Sequence, residues 1–541
     1  MGTALFFSFI GSLLICMALI PALTASAWKL QFVDVPRDRR MHATPTAKVG
    51  GIAFAVGTIA AVLLWAPKDH MILASLLGGV VILLFGIWDD RVGLGHRMKF
   101  AGQILAATIV IVFAGVSIKS IPFFAGQTFP LWVAGPITLI VIVGMTNAVN
   151  LADGLDGLAG GLSLLSFAGI AYLAYQSGDQ MLTLLAVSVL GSLLGFLRFN
   201  TYPARVFMGD AGSQFLGHYL AVAALILIDP ARTPYSPLII LFLWGIPLLD
   251  TLGVIGQRLL EGRSLFVGDR NHIHHKLLAM GLTHRQAVTG IYMTQALSIG
   301  CAYLLRYQTD VVVLLAYLVF AGVVLSLFVF APRSQSMTTG VTTPPSTAVA
   351  GKVSPALLRD WPLQALKWLV PVYLVACVSI PREIPNDAGL IAAGLLAAVL
   401  VGLMIGKGLT LIIRIGLYIG STFVMYYSEF VPRVLMHGLM TPLNAGFALL
   451  AVLVVLTIRM TGDERFQTTP LDYLIVLLAL MLPFLPDLVV GEVNVSLLTA
   501  KLIILFFAFE LLMQVSRAVV TRVGWLTAWM LAGIVVRAWW L

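Results

Sequence analysis

Charge is scarce in this chain of 541 residues: 11% is Asp, Glu, Lys or Arg, against 60% apolar. Soluble domains carry about a quarter charged residues, so that class is excluded. Cysteine is scarcer still, with 3 residues, Cys16, Cys301 and Cys377, each inside an apolar run. No disulfide framework and no thiolate metal cluster is expected from them. Acidic residues number 24 against 33 basic ones, a formal net charge of +9. The excess does not call for nucleic acid. In a chain this apolar it reports topology first and anionic partners second.

What the chain has in abundance is apolar runs near twenty residues long, each able to cross a hydrocarbon core of about 30 Å. The expected fold class is therefore all-α, a polytopic integral membrane protein. A β-barrel would show short alternating segments instead. About eleven spans fall before residue 332, near 4–26, 50–66, 71–88, 100–117, 131–149, 158–176, 181–197, 212–229, 237–256, 286–305 and 311–331. Ala25-Ser26-Ala27 imitates a signal-peptidase site, but nothing basic precedes Phe6 and the run is too long for a signal core, so it reads as a first span. One set of loops in this half carries fifteen Lys and Arg; the opposite set carries four, Lys68, Lys119, Arg232 and Arg306. Positive-inside bias then puts the first set in the cytoplasm and the N-terminus outside.

Three regions follow: a core over 1–331, a Ser/Thr/Pro/Gly-rich cytoplasmic linker over 332–362, and a C-terminal membrane domain over 363–541. The last holds about seven more spans, near 363–380, 388–406, 409–427, 441–458, 471–486, 495–516 and 523–540. Its carboxylates are scattered, so a structural or partner-docking role is expected, with lipid-carrier transport as the alternative.

The chemistry concentrates at the cytoplasmic ends of the core. Residues 146–161 read Thr-Asn-Ala-Val-Asn-Leu-Ala-Asp-Gly-Leu-Asp-Gly-Leu-Ala-Gly-Gly between two spans. A helix turn needs the glycines and amides but not the carboxylates Asp153 and Asp156, and ionisable groups at this depth mark function by default. Asp89-Asp90 ends the third span; adjacent carboxylates repel unless a cation or a shared proton lies between them. Lys99 and Gln103 follow at the mouth of the next helix. Asp210, in Gly209-Asp-Ala-Gly212, sits where the chain re-enters the membrane after Asn200. Such a turn can offer a carboxylate to a metal, or be only a turn. Gly268-Asp-Arg-Asn-His-Ile-His-His275 places Arg270, His272, His274 and His275 in the largest loop. Without cysteine, and with neighbouring histidines poorly spaced for one ion, zinc is disfavoured. A donor array for a diphosphate suits them better, since His and Arg both offer charge-assisted N–H bonds. The first loop, with Arg40, His42 and Lys48-Val-Gly-Gly51, reads equally as plain positive-inside charge or as a phosphate site at a helix start. Together these form a rim of carboxylates and an amide, Asn150, suited to Mg²⁺, beside cations suited to phosphates. That is the equipment of phosphoryl transfer, and the membrane setting points to a lipid substrate.

These clusters, in this order, resemble the polyprenyl-phosphate N-acetylhexosamine-1-phosphate transferases (glycosyltransferase family 4), over residues 1–331. The resemblance implies transfer of a sugar 1-phosphate from a UDP-N-acetylhexosamine to undecaprenyl phosphate in a bacterial inner membrane. UMP is released, and Mg²⁺ (with Mn²⁺ as a substitute) sits in a cytoplasm-facing cleft. It implies that Asp89 and Asp90 match the catalytic pair, the first deprotonating or aligning the lipid phosphate. Asn150 and Asp210 match the metal-holding positions, with Asp210 also catalytic. Asp156 matches the uracil contact and Asp153 lines the same cleft, with Asn200 in the nucleotide-sugar set. Lys99, Arg40 and His42 match phosphate contacts, and Arg270, His272, His274 and His275 the diphosphate loop. The His-x-His-His spacing is similar to the N-acetylglucosamine branch, which starts O-antigen or related glycans. The peptidoglycan translocase, with a UDP-MurNAc-pentapeptide donor, carries consecutive histidines. Ala47 departs from the family pattern, where a second proline is usual. A homodimer is also consistent with the family. The rival of another class is a secondary transporter, which would put its ionisable residues near the bilayer midplane rather than at one rim.

Overall fold

The computed structural model describes residues 2–34, 45–119, 122–123, 129–263, 272–329, 356–379, 384–405, 409–428, 443–454, 456–457, 489–490, 493–513 and 517–540. The chain divides into two compact units, Met1–Met337 with Thr469–Leu474, and Thr338–Thr468 with Ile475–Leu541.

Helices dominate both, as they must where lipid offers no partner to backbone N–H and C=O groups. In the first unit they are α1 (Gly2–Leu30), α2 (Gly50–Trp65), α3 (His70–Val92), α4 (His96–Phe113), α5 (Leu131–Ala152), α6 (Leu158–Gln176), α7 (Gln180–Asn200), α8 (Gly209–Leu227), α9 (Ile239–Leu260), α10 (Ile273–Ala279), α11 (His284–Leu305) and α12 (Asp310–Val329). Every expected span of the core finds its helix among these. Across both units, 11 helices among the described residues are long and apolar enough to cross a membrane. The chain is thus an all-α, multi-pass membrane protein. Hydropathy did not reveal α10 or a small hairpin in the first loop, where β1 (Val33–Asp34) pairs antiparallel with β2 (Thr46–Ala47).

The first unit is organised around α8. Every residue from Ala211 to Leu227 is buried, as expected for a helix apolar on all sides. It packs chiefly against α3 and α5, then α2 and α6, with α4, α7 and α9 touching it more lightly. Its N-terminus is held from two directions. Gly50 and Gly51, opening α2, donate their N–H groups to Phe207 and Met208 carbonyls at 3.0 and 2.9 Å, and Ala47 bridges Val206. The first loop and the Asp210 turn are therefore one piece of structure.

Helix α9 is broken within its length. Gly245 has non-helical angles (φ 41°, ψ −117°), and Pro247 follows. A break inside a membrane span frees backbone groups that must find partners. Gln295 of α11, fully buried, supplies them: its Oε1 accepts Ile246 N–H at 2.8 Å while its Nε2 donates to Leu243 O at 3.3 Å.

In the second unit, helices Ala356–Val378, Asn386–Ile405, Leu409–Ser428, Val495–Met513 and Arg517–Trp540 are described, with a shorter apolar helix, Leu443–Val454. Asn386–Ile405 packs against Arg517–Trp540, with Leu409–Ser428 against both. Ala356–Val378 begins inside the stretch expected to be linker and carries Pro362 and Pro371 within it. The span expected over 471–486 lies outside the described residues.

Candidate active site

Four helix ends meet at the start of α8. Asp89 comes from the last turns of α3, Lys99 from the first turn of α4, Asn150 from the end of α5, and Asp210 from the first turn of α8. Lys99 Nζ lies 2.5 Å from Asp89 Oδ2 and 3.4 Å from Asp210 Oδ2. Asn150 Nδ2 donates to Asp210 Oδ1 at 2.8 Å and to Ser213 Oγ at 2.7 Å. Asp89 is 4% exposed, whereas the Lys99 and Asp210 side chains keep 32% and 31% exposure. The cluster thus has a buried floor and an open mouth.

The adjacent carboxylates do different work. Asp89 faces Lys99, and its Oδ1 also accepts the Leu94 N–H at 2.7 Å. Asp90 turns away from Lys99: its two oxygens accept the N–H groups of Asp210 and Ala211, each at 2.9 Å. It caps the N-terminus of α8, where the helix dipole favours a negative charge. Gly209, at φ +70°, makes room for it, because a Cβ there would come within 2.6 Å of Asp90 Oδ2. Both oxygens of Asp90, expected to be catalytic, thus accept backbone N–H groups at the start of α8.

One helical turn below lies a layer of amides. Gln103 Nε2 donates to Gln214 Oε1 at 3.2 Å, and Asn147 Nδ2 to Gln103 Oε1 at 2.8 Å and to Val143 O at 2.8 Å. Buried amides satisfied this way lock α4, α5 and α8 in register.

The 153–158 turn forms the neighbouring wall. Asn200 Oδ1 accepts Gly157 N–H at 3.0 Å while its Nδ2 donates to Val206 O at 2.9 Å. Both ends of this amide, 3% exposed, are thus engaged, and Asn200, expected in the nucleotide-sugar set, joins the 153–158 turn to the loop before α8. Asp156 Oδ2 accepts the Ala204 N–H at 2.9 Å, and Tyr292 Oη donates to Gly157 O at 2.6 Å. Beyond them Tyr202 stacks on His284, ring centroids 4.3 Å apart. Asp153 feels desolvation most, then the charges of Asp210, Asp90 and Asp156; together they push its carboxyl up to about 7, with Lys48 opposing.

His274 closes over this wall. Its Nε2 packs so tightly against Gly154 that a Cβ there would collide with it. The ring lies 4.3 Å from His275 and parallel to His272 at 5.8 Å, centroid to centroid. Burial, and then the neighbouring His275, lower its pKa to about 4. The shift favours the neutral imidazole in the absence of an anionic ligand. His272 Nδ1 meets Asp250 Oδ2 at 2.8 Å, a partner missed in the sequence. Arg40, His42 and Arg270 lie outside the described residues.

No group of three or more His, Cys, Asp or Glu side chains set to hold a metal ion occurs among the described residues. A hard divalent cation needs less: one or two carboxylates and neutral oxygens, the rest being water and substrate phosphate. Asp210 and Asp89 with Asn150 fit that requirement. Asn150 turns its N–H toward Asp210 here, and rotation about its last torsion exchanges that for its oxygen. These donors fit Mg²⁺ and offer nothing to a soft metal.

Apolar helices thus meet at a rim of carboxylates, amides and a lysine. The comparisons specify the class. The family model described as glycosyl transferase family 4 matches residues 72–228. A probable undecaprenyl-phosphate N-acetylglucosaminyl 1-phosphate transferase of Bacillus subtilis (strain 168) is 36% identical over 289 residues, 53% of this chain and 80% of its own. A decaprenyl-phosphate N-acetylglucosaminephosphotransferase of Mycobacterium tuberculosis is 35% identical over 331 residues, 55% of this chain and 82% of its own. An undecaprenyl-phosphate alpha-N-acetylglucosaminyl 1-phosphate transferase of Escherichia coli (strain K12) is 31% identical over 295 residues, 52% and 78% respectively. The chain belongs to glycosyl transferase family 4.

Proposed function

We propose that this protein transfers N-acetylhexosamine 1-phosphate, chiefly N-acetylglucosamine 1-phosphate, from a UDP-sugar to undecaprenyl phosphate. UMP is released, and a cell-surface glycan such as an O-antigen is begun. The reading is supported above all by the convergence of Asp89, Lys99, Asn150 and Asp210 from four helices within ion-pair and hydrogen-bond distance. Its relatives' names give the acceptor and the transferred sugar phosphate. The positive-inside bias of the loops supports a cytoplasm-facing cleft in the inner membrane.

In this reading an oxygen of the prenyl phosphate attacks the β-phosphorus, which bears the sugar. A new P–O bond forms as the bond from the β-phosphorus to the bridging oxygen breaks, and UMP leaves with that oxygen. No strong base is required, because a phosphate monoester with a second pKa of about 6 is already mostly dianionic at neutral pH. Lys99, held by Asp89, offers its charge to the reacting phosphates; Asp90 and the amide layer fix Asp210 in place. Mg²⁺ bound by Asp210, Asp89 and Asn150 would neutralise diphosphate charge as it shifts to the leaving group. Asp153, Asp156 and His274 form the nucleotide-sugar wall.

Membranes containing the protein, supplied with undecaprenyl phosphate and either UDP-N-acetylglucosamine or UDP-MurNAc-pentapeptide, distinguish this reading from that of a peptidoglycan translocase. UMP release with the first donor alone is expected. Release with the second alone, or with neither, rejects the proposal.

A further inference from the structure

Asp250 is a buried carboxylate that none of these steps uses. It lies on α9, five residues beyond the Gly245 break, and is 7% exposed. Both its oxygens are taken by one short segment. Oδ2 meets His272 Nδ1 at 2.8 Å, and Oδ1 accepts the Ile273 N–H, the first amide of α10, at 2.8 Å. His272 is 6% exposed, and its ring lies parallel to that of His274. His274 in turn rests on Gly154, between Asp153 and Asp156. A 7-residue helix is too short to hold its own shape in water, so its direction must come from what anchors it.

We propose that Asp250 is a positioning residue for nucleotide-sugar binding. It fixes the 272–275 arm to α9 through His272 and so keeps His274 against the 153–156 wall. A carboxylate there accepts from the imidazole, so Nδ1 carries the proton toward Asp250 and Nε2 faces away from it. His272 then belongs to the support of the site rather than to its ligand-facing set. The inference rests on the UDP-sugar reading and names a residue that the reading itself does not need.

Asp250→Asn tests it, because the amide keeps the shape and one acceptor for Ile273. Its NH₂ group, however, faces Nδ1 and forces the opposite tautomer. The full-length protein, purified in detergent, would be compared with Asp250→Asn, His272→Asn and the double variant. The readouts are UMP binding by calorimetry, KM for each substrate, kcat, and thermal unfolding without nucleotide. Losing a partner that orients a histidine costs about 10- to 100-fold where this has been measured for metal sites. A rise of about tenfold or more in the UMP Kd and in the KM for UDP-N-acetylglucosamine is expected. KM for polyprenyl phosphate, and kcat at saturating donor, should move by less than about threefold. The double variant should be no worse than either single one, since the pair acts as one unit. Should Asp250→Asn fail to fold, His272→Asn carries the same expectation. UMP binding unchanged in the variants overturns the inference, as does an equal loss for both substrates with a lowered melting temperature. A wild-type protein that binds neither UMP nor UDP-N-acetylglucosamine overturns the functional reading instead.

Discussion

Asp90→Asn separates the two readings of the paired carboxylates. In the structure Asp90 takes two backbone N–H bonds, each 2.9 Å, from Asp210 and Ala211. An asparagine offers one oxygen to this pair and sets its own N–H groups against the other amide. The lost bond to a charged acceptor is worth roughly 1.5–3 kcal/mol. The lost interaction with the helix dipole adds roughly 0.3–2 kcal/mol. If the bond term alone appears as misplacement of Asp210, it corresponds to about a 10- to 100-fold weaker hold on Mg²⁺, at about 1.4 kcal/mol per tenfold. The assay is UMP release against Mg²⁺ concentration with both substrates saturating. The half-saturating Mg²⁺ concentration should rise by that factor, with kcat at high Mg²⁺ recovering to within about threefold of wild type. An unchanged Mg²⁺ requirement with kcat reduced about a thousandfold would mean that Asp90 acts on the reacting atoms, and would refute the capping argument.

Other variants test the remaining parts of the site. Asp210→Ala should abolish UMP release, while Asp89→Asn should leave residual turnover, because Lys99 remains in reach of Asp210; normal Mg²⁺-dependent turnover in Asp210→Ala would count heavily against the scheme. Gly154→Ala puts a methyl group where His274 Nε2 lies, so KM for the UDP-sugar should rise by about tenfold or more, with KM for the lipid unchanged; an unchanged donor KM contradicts the placement of His274. Asp153, raised to about 7, stays protonated in the folded protein where the unfolded chain has already lost the proton. Its contribution to stability therefore falls as pH rises from about 4 through about 7 and is level above that. In metal-free buffer Asp153→Asn should accordingly melt higher than wild type at pH 8, by a margin that shrinks as pH falls; a constant margin would exclude the shift.

The membrane helices of the core were legible because a run of about twenty apolar residues has few other uses. Asp89, Asp153, Asp156 and Asp210 stood out for the complementary reason, being costly groups at the edges of such runs. What separates Asp89 from Asp90 was not legible, since it depends on the N-terminus of α8, 120 residues away. Asn200 had the right chemistry for a ligand contact, but pattern alone does not reveal the backbone bonds it makes to Gly157 and Val206. Asp250 was within reach: a lone carboxylate in Gly245-Ile-Pro-Leu-Leu-Asp250 is anomalous inside a span, and Gly-Ile-Pro signals the break before it. The hairpin of the first loop and α10 escaped because two-residue strands and a 7-residue helix leave too little periodicity to read.

Attack at the sugar-bearing phosphorus can be checked by following that atom. UDP-N-acetylglucosamine carrying ³²P at the β position would be incubated with the purified protein, undecaprenyl phosphate and Mg²⁺. Sugar-phosphate transfer predicts the label in the lipid product and unlabelled UMP in solution. Label released as UDP, with an unlabelled glycolipid, would show that the sugar–oxygen bond had broken instead, and would contradict the role given to Asp89, Lys99, Asn150 and Asp210.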